Sequence, residues 1–107
     1  MDAPQNTQRP YTLGYPHDFF FDLGRIVATP GALEHLSLAD IMTALGRHSL
    51  GDWGDLDEED REANDRALQD GGRLLSAYRT AGESAVKFWI ITEWDRSVTT
   101  ILLPEEY

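Results

Sequence analysis

The residues best equipped for chemistry are the acidic side chains between Asp52 and Asp70. This window holds nine carboxylates against two arginines, a local net charge of −7 within a whole-chain net charge of −10. Carboxylates at this density could bind a divalent cation, share a proton in acid–base catalysis or face a basic partner. The nine acidic residues are Asp52, Asp55, Asp57, Glu58, Glu59, Asp60, Glu62, Asp65 and Asp70.

A calcium loop is the first of these possibilities, because Asp55, Asp57 and Glu59 alternate as the early ligands of an EF-hand loop do. Such a loop then requires glycine at its position 6 and glutamate at its position 12, where this chain has Asp60 and Arg66. The spacing therefore predicts no EF-hand. An adventitious Mg²⁺ or Ca²⁺ on the acidic turn and a solvated face without any ligand both stay open.

Catalysis would need a nucleophile or a base beside the carboxylates, and no motif in the sequence supplies one. His17, His35 and His48 lack metal-ligand spacing, there is no cysteine, and neither Gly-x-Ser-x-Gly nor a phosphate-binding glycine loop occurs. We expect His48 to be a surface or helix-end residue, where its charge would suit the C-terminal dipole of a helix. We predict no cofactor, no metal site and no catalytic residue, and expect a protein that is not an enzyme.

Composition narrows the range of partners. A chain of 107 residues with 41% hydrophobic residues is expected to form one domain with its own core. Only nine residues are basic, which disfavours direct binding to nucleic acid or to an anionic membrane. The sequence has no apolar run long enough to span a bilayer and no signal-peptide pattern at its start. With the lack of cysteine, these features predict a cytoplasmic protein.

The elements that position the acidic window begin after an irregular arm. Residues 1–18 contain Pro4, Pro10 and Pro16 and show no sustained periodicity, so we place a single domain at residues 19–107. Residues 19–28 are aromatic and β-branched, which predicts a strand with a bulge at Gly24.

Two short helices are predicted next. Thr29 before Pro30 is a typical helix start, and Ser37 restarts the helix with Asp40 three residues later. In the second helix, apolar residues recur at i, i+3, i+4 and i+7, which predicts a stripe that faces the core. This stripe consists of Leu38, Ile41, Met42 and Leu45.

The acidic helix follows, capped by Asp55 or Asp57 and ending at Gly71 and Gly72. Its apolar face is thin, and a helix with so little apolar surface is expected to lie across the exterior of the fold. The predicted inward residues are Leu56, Ala63, Ala67 and Leu68.

The last third of the chain changes to the alternation of β-strands. Residues 73–80, 86–94 and 98–103 read as three strands joined by tight turns. The element order is therefore β-α-α-α-β-β-β. We predict an α+β domain with an antiparallel sheet, formed by the N-terminal strand and a C-terminal three-stranded meander, with two to three helices between them.

Several stretches of the chain resemble a known family. Gly51-Asp-Trp-Gly-Asp-Leu and Ile91-Thr-Glu-Trp-Asp-Arg, with the residues after each and with residues 26–34 and 74–78, are similar to small plasmid-related proteins carried on bacterial plasmids and integrative elements. The resemblance covers roughly residues 21–107 and implies a bacterial mobile-element setting. It implies no established activity and no catalytic residues. The chain departs from the family pattern at Trp94, where the family has a small residue, and in residues 1–18.

An enzymatic alternative comes from the order of the elements, which resembles that of small ribosome-dependent ribonuclease toxins of plasmid addiction modules. Enzymes of this kind must bind RNA electrostatically, and a net charge of −10 opposes such binding. The residues that could serve on the sheet are Arg73, Tyr78, Arg79, Lys87 and Arg96.

The balance of these observations favours a binding protein. Trp53 and Trp94 could each pack in the core or anchor a partner. We predict a non-enzymatic interaction protein that binds a basic nucleic-acid-binding protein, such as a defence nuclease or a CRISPR effector subunit, partly by imitating the charge of DNA. An anti-CRISPR or anti-restriction inhibitor is its most concrete form. The alternative is a small structural or regulatory module whose partner docks on the sheet. The predicted contact residues are Asp52, Trp53, Asp55, Asp57, Glu58, Glu59, Asp60, Glu62, Asp65 and Trp94.

Overall fold

The computed structural model of the protein describes residues 20–107, so the predicted arm at residues 1–18 lies outside the described residues. The predicted α+β class and the order β-α-α-α-β-β-β are confirmed. The elements are β1 (Arg25–Ala28), α1 (Pro30–His35), α2 (Leu38–Ser49), α3 (Glu58–Asp70), β2 (Leu74–Arg79), β3 (Lys87–Thr92), β4 (Val98–Leu102) and a terminal 3₁₀ turn (Pro104–Glu106).

The four strands form one sheet in the order β1-β4-β3-β2. β2, β3 and β4 make the predicted antiparallel meander, but β1 pairs with β4 in parallel, with Ile26 opposite Thr99. The sheet is therefore mixed, and the expectation of a purely antiparallel sheet was wrong in this respect. Parallel neighbours need a long connection, and the three helices and two strands between β1 and β4 supply one. Gly24 precedes β1 and is not a bulge within it.

Both predicted starts of the short helices are confirmed. The Thr29 hydroxyl accepts a hydrogen bond from the backbone N–H of Ala32 at 3.2 Å, and Pro30 is the first helical residue of α1. The Ser37 hydroxyl accepts from the N–H of Asp40 at 3.0 Å at the start of α2. These caps satisfy N–H groups that the helices themselves leave unpaired.

The core lies between α1, α2 and one face of the sheet, where Phe88, Ile90 and Ile101 are buried. The predicted stripe on α2 was half wrong, because Leu38 is 73% exposed and Met42 is 58% exposed. The face of α2 that is buried differs from the predicted face, and one of its buried residues is polar. The buried stripe consists of Ile41, Ala44, Leu45 and His48.

α3 lies along the outer edge of β2 and covers it without adding a strand. The Asn64 side-chain amide donates to the carbonyl of Leu75 at 2.8 Å, and its oxygen accepts from the N–H of Leu75 at 3.1 Å. The turn before α3 continues the same edge, because Gly54 forms a bridge with Ala77. An edge strand that would otherwise expose unpaired backbone groups is thereby closed.

Candidate functional site

Trp53 fixes the turn that leads into α3. Its side chain is only 4% exposed, stacks on Phe21 and meets the edge of His48. The indole N–H donates to Oδ1 of Asp65 at 3.1 Å, which ties the turn to the helix. Of the two roles predicted for Trp53, the structure shows packing in the core. Trp53 therefore positions the acidic surface, and almost none of its own side chain is exposed.

Within the described part of the chain, two of the nine carboxylates are paired with arginines from outside the acidic window. Asp52 accepts from Arg47 Nε at 2.7 Å and from Nη2 at 3.2 Å, and this hydrogen bonding holds the pKa of the Asp52 carboxyl below its usual value. Asp55 lies 3.4 Å from Arg79 Nε. The net charge of −7 counted along the sequence therefore overstates the field of the turn itself.

Asp57 is the residue that caps α3. Its carboxylate accepts from the N–H of Asp60 at 2.8 Å, which decides between the two caps that the sequence allowed. Arg61 folds back over the same end, donating from Nε to the carbonyl of Leu56 at 3.1 Å and from Nη2 to the carbonyl of Gly54 at 3.4 Å. The entrance of α3 is thus held by side chains of its own first turn.

The outward face of α3 carries Glu58, Glu59 and Glu62, which we call the outer carboxylates. All three are exposed, and none makes a hydrogen bond or ion pair with another residue in the described range 20–107. The inward side is thinner than predicted, because Ala63 is exposed and the buried position is Asn64. Within residues 20–107, the outer carboxylates are therefore exposed and unpaired members of the predicted contact set.

Trp94 lies in the turn between β3 and β4 and is 67% exposed. Two residues later, Arg96 adopts a φ of 60° and donates to the carbonyls of Gly72, Glu93 and Ala67. Those contacts place the turn beside the C-terminal end of α3. Trp94 is therefore available to a partner, but at the opposite end of α3 from Glu58 and Glu59.

A buried polar network, which we call the His48 network, was missed by the sequence analysis. His48 is fully buried, and its Nδ1 and Nε2 lie 2.6 Å and 2.9 Å from the hydroxyls of Ser76 and Thr92. The expectation of a surface histidine was wrong, although His48 does lie near the end of α2. The available signal was its position, seven residues after Ile41 on the apolar stripe.

The hydroxyl groups of the network determine where each proton lies. The Thr99 hydroxyl donates to the carbonyl of Leu23 at 2.6 Å, so the hydroxyl of Thr92, 2.7 Å away, must donate to Thr99. Thr92 then accepts from Nε2–H of His48, and Nδ1 accepts from Ser76. Burial, aided by the charge of Arg96, lowers the pKa of His48 to about 4, consistent with this neutral form.

Ser76 beside His48 has the chemistry of a nucleophile and its base, but both residues are fully buried. A substrate cannot reach the hydroxyl, so the pair serves the fold. The residues considered for a ribonuclease-like site do not lie together on one face of the sheet. Arg79 and Lys87 are register partners on the sheet face away from the core, whereas Tyr78 is buried and donates to the carbonyl of Asp52 at 2.6 Å.

The surface has one open groove of about 220 Å³ beside α3 and another of about 200 Å³ beside α2. Both are smaller than the usual range of about 300–1,000 Å³ for small-molecule sites. Within residues 20–107, no three His, Cys, Asp or Glu side chains are grouped so that they could hold a metal ion. No helix in that range has the length and apolar content needed to cross a membrane.

Comparisons of the chain with protein-family models, with curated proteins and with solved structures found no match.

Proposed function

We propose that this protein is a non-enzymatic interaction protein that binds a basic, nucleic-acid-binding protein through the outward face of α3. The observation that carries the proposal is the set of outer carboxylates, Glu58, Glu59 and Glu62, which are exposed and have no partner among the described residues. They stand on a helix that is held near its middle by the Trp53–Asp65 hydrogen bond and in its last turn by the Arg96–Ala67 hydrogen bond. The carboxylates are thus presented on a pre-ordered surface.

Charge arranged in this way acts mainly on encounter and specificity. A negative face steers a positive partner and raises its association rate, and like-charged competitors are repelled. Carboxylates spaced along a helix also offer a basic groove some of the charge that a phosphate backbone would offer. A protein that normally holds nucleic acid is therefore the partner class that this face suits.

The resemblance to plasmid-related proteins suggests the setting. On a mobile element in the bacterial cytoplasm, the basic proteins worth blocking are defence nucleases and CRISPR effector subunits. The most concrete form of the proposal is an anti-CRISPR or anti-restriction inhibitor that competes with nucleic acid.

The test compares two variants of equal net charge. One carries Glu58→Gln, Glu59→Gln and Glu62→Gln, and the control carries Glu34→Gln, Glu83→Gln and Glu105→Gln at exposed positions away from α3. Each protein is expressed in cells with an active restriction or CRISPR system, and plasmid transformation is counted. Wild type and control should restore transformation and the α3 variant should not.

Binding to the purified effector at several salt concentrations completes the experiment. We expect the affinity of wild type to fall with salt and the α3 variant to lose most of this dependence. Equal affinity of the two variants, or binding that does not change with salt, would contradict the proposal.

A second candidate is a module whose partner docks on the sheet side. It is favoured by the exposure of Trp94 and by Tyr107, which is 70% exposed and packs edge-on against Trp89. Aromatic side chains of this kind are frequent anchors at interfaces. In this case the partner would be retained in high salt and lost on Trp94→Ala or Trp89→Ala.

A further inference from the structure

The flank of α3 that faces β2 forms the 220 Å³ groove, which we call the α3–β2 groove. Three of its lining residues, Leu56, Ala63 and Leu75, provide aliphatic walls. Asn64 also lines it, but both ends of its amide are used by the backbone of Leu75. Asp60 completes the lining and is exposed.

Asp60 gives the groove its one free charged group. Its backbone N–H is bound by the Asp57 cap, whereas its carboxylate makes no hydrogen bond or ion pair with any of residues 20–107. An occupant would therefore meet apolar walls along its length and a carboxylate at the rim. Long cationic side chains match this arrangement, since they bury an aliphatic stem and keep the charged end at the surface.

We propose that the α3–β2 groove takes an arginine side chain projected by the basic partner, an inference that rests on the proposed function of α3. The volume suits one side chain rather than a small-molecule ligand. The neighbouring outer carboxylates favour a cation and repel an acidic group. Arginine fits better than lysine because its planar guanidinium can bind the Asp60 carboxylate through two parallel hydrogen bonds.

Octa-arginine and octa-lysine peptides test the groove, because they carry equal charge and differ only in side chain. Binding to the full-length protein is measured by titration calorimetry at one low salt concentration. We expect octa-arginine to bind about tenfold more tightly. Ala63→Leu fills the groove without changing charge and with only a small change in helix propensity, and should remove this preference while leaving octa-lysine binding unchanged. Ala39→Leu, at an exposed position on α2, is the matched control and should keep the preference.

Asp60→Asn provides a second variant that keeps the shape of the groove. It should reduce octa-arginine binding more than octa-lysine binding. Equal affinity of wild type for the two peptides, or an unchanged preference in Ala63→Leu, overturns the groove assignment and leaves the proposed function of α3 standing. Failure of both peptides to bind overturns both proposals. The Gln variant of the three outer carboxylates should lower the affinity for both peptides to the same extent. This result would distinguish the general electrostatic attraction of α3 from specific binding in the groove.

Discussion

Thr92 is the junction of the His48 network, because its single hydroxyl accepts from His48 and donates to Thr99. Buried polar groups stabilise a fold only when each has its partner, and an unpaired one carries its full desolvation cost. The network joins α2, β2, β3, β4 and the segment before β1. It therefore fixes the position of the helix that carries the Arg47–Asp52 pair at its end.

Thr92→Val is expected to lower the free energy of unfolding by about 1–3 kcal/mol. Valine keeps the shape of threonine but leaves the His48 Nε2–H without an acceptor. Urea unfolding measures the loss. Thr100→Val, on the next strand and only half-buried, is the control and should change stability by no more than about 0.5 kcal/mol. A loss of similar size in both variants would show that the network is not the cause.

His48 should also make stability depend on pH. Its pKa is about 4 in the folded protein, below the ordinary value of 6.5, so the unfolded chain binds more protons between these values. The free energy of unfolding should therefore fall as pH falls from about 6.5 to 4, by about 3 kcal/mol in total. The measurement is the difference between wild type and His48→Gln in urea unfolding at each pH. Parallel curves for the two proteins would contradict the assignment.

Local signals explain which of these residues could be predicted from sequence. Thr29, Ser37 and Asp57 cap helices whose own first turns supply the donors, so adjacent residues suffice to identify them. His48 is different, because the hydroxyls that satisfy it lie on strands far along the chain. His48 was therefore expected at the surface or at a helix end, because its partners Ser76 and Thr92 are not adjacent to it in sequence.

At the scale of elements, the join between α3 and β2 decides how the acidic surface is held. It uses Asn64, which the sequence analysis did not select, and Gly54, where Ala77 is the bridge partner. The existence and bounds of α3 followed from its cap and its terminal glycines. The docking of α3 on β2 could not be predicted from the sequence. It depends on the single side-chain amide of Asn64, which produces no periodic sequence pattern. The parallel pairing of β1 escaped prediction for a related reason: alternation marks a strand but not the direction of its neighbour.

Gly54→Ala should therefore detach the entrance of α3. A Cβ at this position would clash with the carbonyl oxygen of Ala77, and the backbone φ of 78° is already unfavourable for alanine. We expect a loss of more than about 1 kcal/mol in urea unfolding. Gly46→Ala, inside α2, is the control with the opposite sign, because a Cβ there would lie more than 4 Å from every atom of residues 20–107 outside its own helix turn. It should gain about 0.5–1 kcal/mol.

At the scale of the whole molecule, the charge of −10 is unevenly spread. Arg47 and Arg79 neutralise part of the turn before α3, and the sheet face away from the core carries Arg79 and Lys87. Four carboxylates without an ion pair to any of residues 20–107, the outer carboxylates and Asp60, stand within five consecutive positions of α3. Composition could predict an acidic protein, but not that two of the nine carboxylates of the window would pair with arginines from outside it.

This concentration predicts how salt should affect stability. Like charges three or four residues apart on a helix destabilise it by about 0.2–0.5 kcal/mol each, and Glu62 faces Glu58 and Glu59 at these spacings. Screening relieves that repulsion, so the free energy of unfolding of wild type should rise between about 20 and 500 mM salt. The Gln variant of the outer carboxylates, which lacks the Glu58–Glu62 and Glu59–Glu62 repulsion, should show a smaller rise than wild type.

The variant with Glu34→Gln, Glu83→Gln and Glu105→Gln has the same net charge and separates position from total charge. It should keep most of the salt-induced gain in stability, because its carboxylates lie on α1, in the loop between β2 and β3 and in the terminal 3₁₀ turn. If the free energy of unfolding changes equally with salt in the two variants, only the total charge matters and not the position of the carboxylates. Unequal slopes would mean that α3 bears a local energetic cost for its carboxylates, as expected of a surface whose charge is compensated only when a basic partner is bound.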